Sequence, residues 1–271
     1  MNEVKLLPFL KWAGGKRWLS DVIEQFYIKS GASVFVEPFV GAGACALHVN
    51  AENTIINDIN PHLINLYKHI QAGLHLDLAK YGITGDYSAN RVRFNEKIAA
   101  GEIEDEEFAI LFYVLNKTSF NGMCRYNKKG FFNVPEGDSK PKIKSDLLGY
   151  KDTLANWVML SVDFQEIVVP PNAFLFSDSP YDDQFNTYWV DGFKTNDQER
   201  SIVWAGAQGV PVVLTNNPTD YVIGLLEENG FDFKIITKNH SIAADGTKRG
   251  RKDEVIAWKN CEAPDAVKRL K

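Results

Sequence analysis

Cysteine is scarce: the chain has three in 271 residues, Cys45, Cys124 and Cys261, scattered and without metal-type spacing. That excludes a disulfide framework and points to a reducing compartment. Long apolar runs are also missing, and none approaches the ~20 residues that span a membrane. The opening Met1-Asn2-Glu3-Val4-Lys5-Leu6-Leu7-Pro8 lacks the apolar core of a signal peptide, so a cytoplasmic location is expected. Positive charge is not in excess. The formal net charge is −5, which argues against a general nucleic-acid coat and moves the question to local patches. There is no internal repeat and no low-complexity tract. What remains is an ordinary globular composition, 45% hydrophobic. Its length suits one large domain or a core with an insertion.

The stretch that organises the rest is Phe174-Leu175-Phe176-Ser177-Asp178-Ser179-Pro180-Tyr181. A short apolar run ended by turn residues suits a buried strand of a parallel sheet. Ligands of such sheets sit at the carboxyl ends of the strands. Asp178 and Tyr181 are then placed at a pocket mouth, where a carboxylate and an aromatic ring suit a flat, amino-bearing ring. Taken alone, the tetrapeptide is equally an ordinary strand-to-turn junction.

Two further strand ends share this character. Val34 to Glu37 reads as a strand, followed by Pro38-Phe39-Val40-Gly41-Ala42-Gly43 and a small-residue helix with Ala44, Ala46 and Leu47. Glycines there let the backbone approach a ligand closely. Thr54 to Asn57 reads as a second strand ending at Asp58-Ile59-Asn60, an acid placed to bind ribose hydroxyls or to cap the helix expected over His62 to Gln71. Leu47 and His48 stand where a dinucleotide fingerprint has its third small residue, which favours a mononucleoside cofactor over NAD. Upstream, Lys11-Trp12-Ala13-Gly14-Gly15-Lys16 reads as a tight loop with exposed amides, before a helix over about Arg17 to Phe26.

The middle, about Gln71 to Ala155, changes character. Helices are expected over about Asn90 to Ala99 and Glu106 to Lys117, then a loop-rich stretch from Asn116 to Pro135 without strong strands. Basic, amide and aromatic residues interleave there, with Lys140, Lys142 and Lys144 following. That mixture suits DNA, with Lys for phosphates, Arg for guanine and Asn for adenine. It also suits a solvated basic loop over an aromatic minicore. Beyond Tyr181, Asp182 to Asp191 reads as a loop over the pocket. A helix over Asn196 to Gln208 follows, with Asn196 as its cap, then a strand over Val210 to Asn216. Next come a helix over Asp220 to Asn229 and strands over Phe231 to Ile236 and Glu254 to Trp258. Between those strands a basic hairpin loop carries Lys248, Arg249 and Arg251.

In their order along the chain, Phe9 to Lys16, Phe35 to Gly43, Asp58 to Asn60, Asn121 to Asn127, Phe132 to Pro135 and Asp178 to Tyr181 resemble the motifs of the Dam-type DNA adenine-N6 methyltransferases. The resemblance covers nearly the whole length. It implies an α/β, Rossmann-like S-adenosylmethionine-dependent methyltransferase core over 1–70 and 156–271. A mainly helical target-recognition insertion would occupy 71–155. It implies methyl transfer to N6 of an adenine flipped from double-stranded DNA, in GATC by family likeness, with no metal. Asp178, Ser179, Pro180 and Tyr181 would be catalytic. Trp12, Ala13, Gly14, Lys16, Glu37, Phe39, Gly41, Gly43, Asp58, Ile59 and Asp178 would hold the cofactor. Lys11, Arg91, Asn116, Phe120, Asn121, Met123, Arg125, Asn127, Pro135, Lys248, Arg249 and Arg251 would face DNA, with Arg125 reading a guanine. The source would be a bacterial cell or a phage, and the protein a monomer without an obligate protein partner.

One residue departs from the pattern. The family's tetrapeptide is usually Asp-Pro-Pro-Tyr, and Ser179 stands at its second position. Serine keeps the backbone carbonyl there and gives up the rigidity of proline. The alternatives are a catalytically impaired DNA-binding homologue, or a methyltransferase acting on RNA or on a protein amide.

Overall fold

The computed structural model describes residues 5–138, 143, 147–181, 193, 195–239 and 251–270. The expectations for 182–191, for Lys140, Lys142 and Lys144, and for Lys248 and Arg249 lie outside these residues. For Arg251 only the backbone is described.

The chain begins with a loop and α1 (Ser20–Ser30), then β1 (Val34–Glu37), α2 (Ala44–Val49), β2 (Asn53–Asn57) and α3 (Pro61–Ala72). The segment between α3 and the next strand carries α4 (Tyr87–Ala100) and α5 (Glu106–Thr118), and α6 (Lys151–Leu154) leads out of it. Then come β3 (Trp157–Leu160), β4 (Ala173–Ser177), α7 (Thr195–Gly206), β5 (Val212–Asn216), α8 (Asp220–Glu228), β6 (Asp232–Asn239), β7 (Arg251–Lys259) and α9 (Asp265–Arg269).

One sheet of seven strands runs in the order β3-β2-β1-β4-β5-β7-β6. The first five strands of that order pair in parallel, while β7 is antiparallel to both β5 and β6. Strands β4 and β5 are buried at every position, as apolar strands covered on both faces must be. The winding reverses between β1 and β4, so the crevice at their carboxyl ends is the switch point of the sheet. This is the Rossmann-like α/β core expected of the chain.

Local signals explain most of the element ends. Helix α3 opens on Asn60, whose Oδ1 accepts from the N–H groups of His62 and Leu63, with Pro61 in the first turn. The capping alternative for Asp58 therefore falls to Asn60. Asp86, Asp105 and Thr219 cap α4, α5 and α8 in the same way. Two expectations shift. The first helix runs from Ser20 to Ser30, because Lys16 to Leu19 form a preliminary turn. Asn196 lies inside α7, which starts at Thr195, and so is not its cap.

The short edge strand β3 escaped the sequence. With Trp157 buried and Val158 exposed, its four residues are too few to display a period. The stretch expected to be loop-rich contains a hairpin, bridged between Tyr126 and Phe132. Every residue of α5 from Phe108 to Asn116 is buried. It lies between α3 and α4 in an apolar cluster that runs without a break from Phe9 and Phe26 to Phe94 and Phe112.

Candidate active site

Three acids stand at the carboxyl edge of the sheet: Glu37 ends β1, Asp58 follows β2 and Asp178 follows β4. Their spacing in sequence is wide, but β2, β1 and β4 are neighbours, so the fold gathers them.

Between Glu37 and α2 the backbone turns through Gly41 and Gly43, which have φ of 48° and 67°. Gly41 is required there on a second count. A Cβ on it would lie 2.5 Å from Trp12 Nε1, so only glycine lets the indole of the N-terminal loop rest on the turn. The Gly41 N–H donates to Asp58 Oδ2 at 3.2 Å, and the Asn60 N–H to Oδ1 at 3.0 Å. Burial nevertheless outweighs these bonds and pushes Asp58 up to about 6. Glu37 is 3% exposed and accepts from the Ala46 N–H at 3.0 Å. Burial holds its pKa well above the usual carboxylate range. Phe39 is half-buried against Phe164 and Phe193. Ile59 is 48% exposed beside Asp58, and Ala13 and Gly14 are exposed in the loop. Buried carboxylates, a glycine turn and an exposed apolar face make a donor set that fits a cationic nucleoside such as S-adenosylmethionine.

The tightest part lies around Asp178. Its Oδ1 is 2.8 Å from Lys16 Nζ and accepts from Thr215 Oγ1 at 2.6 Å, with the Tyr181 hydroxyl oxygen 3.3 Å away. The Tyr181 hydroxyl also lies 2.6 Å from Glu254 Oε1, to which it donates, and Lys16 Nζ is 3.1 Å from that same oxygen. Lys16 covers the Tyr181 ring, with Nζ 4.9 Å from its centroid. Burial disfavours the ammonium, but Asp178, Tyr181 and Glu254 outweigh it, so the pKa of Lys16 is raised well above its ordinary value. Burial, with the charge of Glu254 added, raises that of Asp178 even against Lys16. The Cys45 thiol is pushed well up by burial, which leaves it inert as a nucleophile. Ser179 is 4% exposed.

Sequence reasoning missed Glu254 and Thr215. Both lie far from Asp178 in the chain and reach it through the β4-β5-β7 pairing. One signal was present, since Glu254 is a charge at the mouth of the apolar run Val255-Ile256-Ala257.

Most of the described residues expected to face DNA lie at a second locus, around a hairpin between Arg125 and Asn133. The hairpin is closed by the Asn127 N–H donating to Phe131 O and the Asn133 N–H donating to Arg125 O. Its turn is an Asx turn, in which Asn127 Oδ1 accepts from the Lys129 and Phe131 N–H groups. Helix α4 clamps the returning strand. Asn95 bonds both backbone groups of Phe132, while Tyr87 and Arg91 donate to Val134 O. Tyr126 pins the hairpin to α3 through His62 Nδ1 at 2.9 Å. Burial lowers His62 to about 4 and so keeps it neutral. Arg125 donates from Nε to Asn133 Oδ1 at 2.9 Å and from its terminal nitrogen to Asn133 O at 3.2 Å. Asn121 and Pro135 are exposed, and Phe120 and Met123 half-buried.

Asn116 does not belong to this surface. It is 1% exposed, and its amide is consumed by the Lys11 N–H, Lys11 O and Gly122 O. It positions the two loops and has no face for a base. Lys11 also donates from Nζ to Lys117 O. Gly122, at φ 66°, packs so closely on Lys11 that a Cβ would lie 2.2 Å from Lys11 Cβ. The loop bearing Trp12 and the stretch bearing Arg125 are thus tied through neighbouring residues.

The family described as D12 class N6 adenine-specific DNA methyltransferase matches residues 12–243. The chain is 31% identical over 271 residues to a DNA adenine methylase of Vibrio cholerae, covering 93% of this chain and 96% of that one. It is 31% identical over 277 residues to a DNA adenine methylase of Haemophilus influenzae, covering 94% of each chain. It is 34% identical over 203 residues to the type II methyltransferase M.CviBI of a Paramecium bursaria Chlorella virus, covering 71% of this chain and 76% of that one. With the acids of the sheet edge, the glycine turn and the Asp178–Tyr181 corner all inside the matched span, the chain belongs to the D12 class N6 adenine-specific DNA methyltransferases.

Proposed function

We propose that the protein methylates N6 of the adenine in GATC within duplex DNA, with Asp178 and Tyr181 as its catalytic residues. The observation that carries this reading is the Asp178 carboxylate beside the Tyr181 ring at the switch point of the sheet, next to the Gly41–Gly43 turn. The amino group of adenine is a poor nucleophile, because its lone pair is delocalised into the ring. Acceptors on its two hydrogens draw the nitrogen toward tetrahedral geometry and localise that pair. Asp178 supplies one acceptor and the backbone carbonyl at Ser179 the other, while Tyr181 stacks on the flipped base. S-adenosylmethionine supplies the methyl group. As the N–C bond forms and the C–S bond breaks, one amino proton leaves, and Asp178, whose pKa burial has raised, is placed to receive it.

The cofactor roles follow from position. Asp58 takes the ribose hydroxyls, Ile59 and Phe39 flank the base, and Glu37 and the Trp12-Ala13-Gly14 loop close the rest, with Lys16 holding Asp178. At the reading locus, Lys11, Arg91, Phe120, Asn121, Met123, Arg125, Asn127 and Pro135 meet the duplex, with Arg125 on a guanine. The pairing of Arg125 with Asn133 supports this, since it fixes the guanidinium through Nε and one terminal N–H and leaves N–H groups on both terminal nitrogens for a bidentate contact. Among the described residues no helix is long and apolar enough to cross a membrane.

The test is transfer of labelled methyl to two duplexes, one with a single GATC and one with the same bases scrambled. Label on the GATC adenine alone supports chemistry and target together. Label on both keeps the chemistry and removes the specificity. If neither is labelled by folded, cofactor-binding protein, Ser179→Pro distinguishes an impaired catalyst, which it rescues, from a wrong substrate, which it does not.

A further inference from the structure

We propose that Glu254 is a positioning residue for the methyl transfer: it shares the Lys16 ammonium and holds the Tyr181 hydroxyl, so that Asp178 is free to accept a hydrogen of the adenine amino group. The inference rests on the reading of Asp178 as that acceptor.

Strand β7 brings Glu254 to the site because it runs antiparallel. Its Val255 stands opposite Asn216 at the carboxyl end of β5, so the residue before it reaches the same edge as Asp178. Glu254 is 8% exposed, and a carboxylate buried at the head of an apolar strand needs charged or hydrogen-bonding partners. It has both in Lys16 and Tyr181.

The arithmetic of donors explains its use. The ammonium of Lys16 has three N–H groups, and among the described residues three acceptors surround it: Gly14 O at 3.0 Å, Asp178 at 2.8 Å and Glu254 at 3.1 Å. When the adenine amino group enters, Lys16 can loosen from Asp178 and remain held by Gly14 and Glu254. Without the Glu254 charge, Asp178 is the one acid among the described residues left in contact with the ammonium, and Lys16 collapses onto it. An acid neutralised in that way is a weaker acceptor for the amino hydrogen. The Tyr181 hydroxyl would also lose its 2.6 Å bond to Glu254, which helps to hold the ring on which the base stacks. The groups facing Glu254 come from separate parts of the chain: Lys16 from the N-terminal loop, Asp178 and Tyr181 from the turn after β4, and Thr215, through Asp178, from β5.

The experiment compares Glu254→Gln with wild type under single turnover, on a duplex that the wild type methylates. Glutamine keeps an oxygen for the Tyr181 hydroxyl and removes the charge. Melting temperature, cofactor affinity and DNA affinity are measured alongside. The expected result is a fall of about tenfold or more in the saturated rate, with both affinities within about threefold of wild type. A saturated rate within about twofold of wild type, or a loss confined to KM, overturns the proposal. Should Glu254→Gln not fold, Tyr181→Phe decides. It keeps the stacking ring and removes the hydroxyl that Glu254 holds, so a saturated rate equal to wild type overturns the proposal and a reduced one supports it. Asp178→Asn runs in parallel. If that variant retains full activity, the reading of Asp178 fails, and the proposal about Glu254 falls with it for that separate reason.

Discussion

Lys16 and Arg125 are both cations set among acceptors, and they are held in opposite ways. Lys16 is 5% exposed and is gripped by Asp178 and Glu254, from the ends of two distant strands. Arg125 is half-buried and pairs with Asn133 eight residues away, a neutral partner in its own hairpin. A buried charge needs opposite charges because water is gone, and the carboxylates here arrive only when the sheet closes. A charge at a surface can be aligned by local hydrogen bonds and left electrostatically unspent. The pocket therefore stores its electrostatics internally, while the hairpin keeps its positive charge available to a phosphate or a base.

Four measurements press on that contrast. The largest effect on the rate is expected at Asp178. Asp178→Asn should lower single-turnover methyl transfer by about 10²-fold or more, with DNA affinity little changed. An unaltered rate would break the assignment of the pocket to chemistry. Next is Lys16→Met, which leaves two buried carboxylates without their cation. Urea unfolding near neutral pH should show a loss of about 3–5 kcal/mol. The deficit should shrink on acidification as Asp178 takes up a proton, and a deficit that persists unchanged in acid would mean packing, not charge, was lost.

Arg125→Ala tests the other side. It should discriminate against the cognate duplex by about 1–3 kcal/mol while leaving the melting temperature near wild type, because its partner Asn133 can turn to water. Equal weakening on cognate and scrambled duplexes would reduce Arg125 to a phosphate contact. The smallest effect concerns Asp58, whose pKa burial lifts to about 6. Because the folded pKa is raised, this carboxyl contributes stability that is full below about 4 and lost as pH rises through about 6. Cofactor binding should run the other way, since ribose hydroxyls donate to the ionised form. Affinity should rise about tenfold between pH 5 and 7, and Asp58→Asn should flatten that rise. A flat profile in the wild type would remove Asp58 from ribose binding.

The legible features were those that depend on neighbours in sequence. Not all of these were read: Asn60, Asp86 and Asp105 cap helices through N–H groups two or three residues ahead, whereas the sequence suggested Asp58 as the cap of α3 and a start of α4 near Asn90 instead of Tyr87. The apolar runs of β4 and β5 declared burial on both faces. Glu37, Asp58 and Asp178 were visible because each stands where such a run stops. Asn116 misled for a related reason. An amide beside a basic stretch reads as a base contact, whereas its partners Lys11 and Gly122 are a loop and a turn that only folding brings together. The hairpin at Arg125 was taken for loop because a single bridge between Tyr126 and Phe132 has no period to show.

By itself the sequence determined the parallel α/β character, the glycine turn, the acids at strand ends and, through the order of its motifs, the kind of chemistry. Only the tertiary structure decided the partners of Lys16. Glu254 stands 76 residues beyond Asp178 in the chain (254 − 178), on a strand whose antiparallel insertion beside β5 sets which of its ends meets the crevice. Strand direction and order in the sheet follow from the packing of the whole core, and no local pattern of residues encodes them.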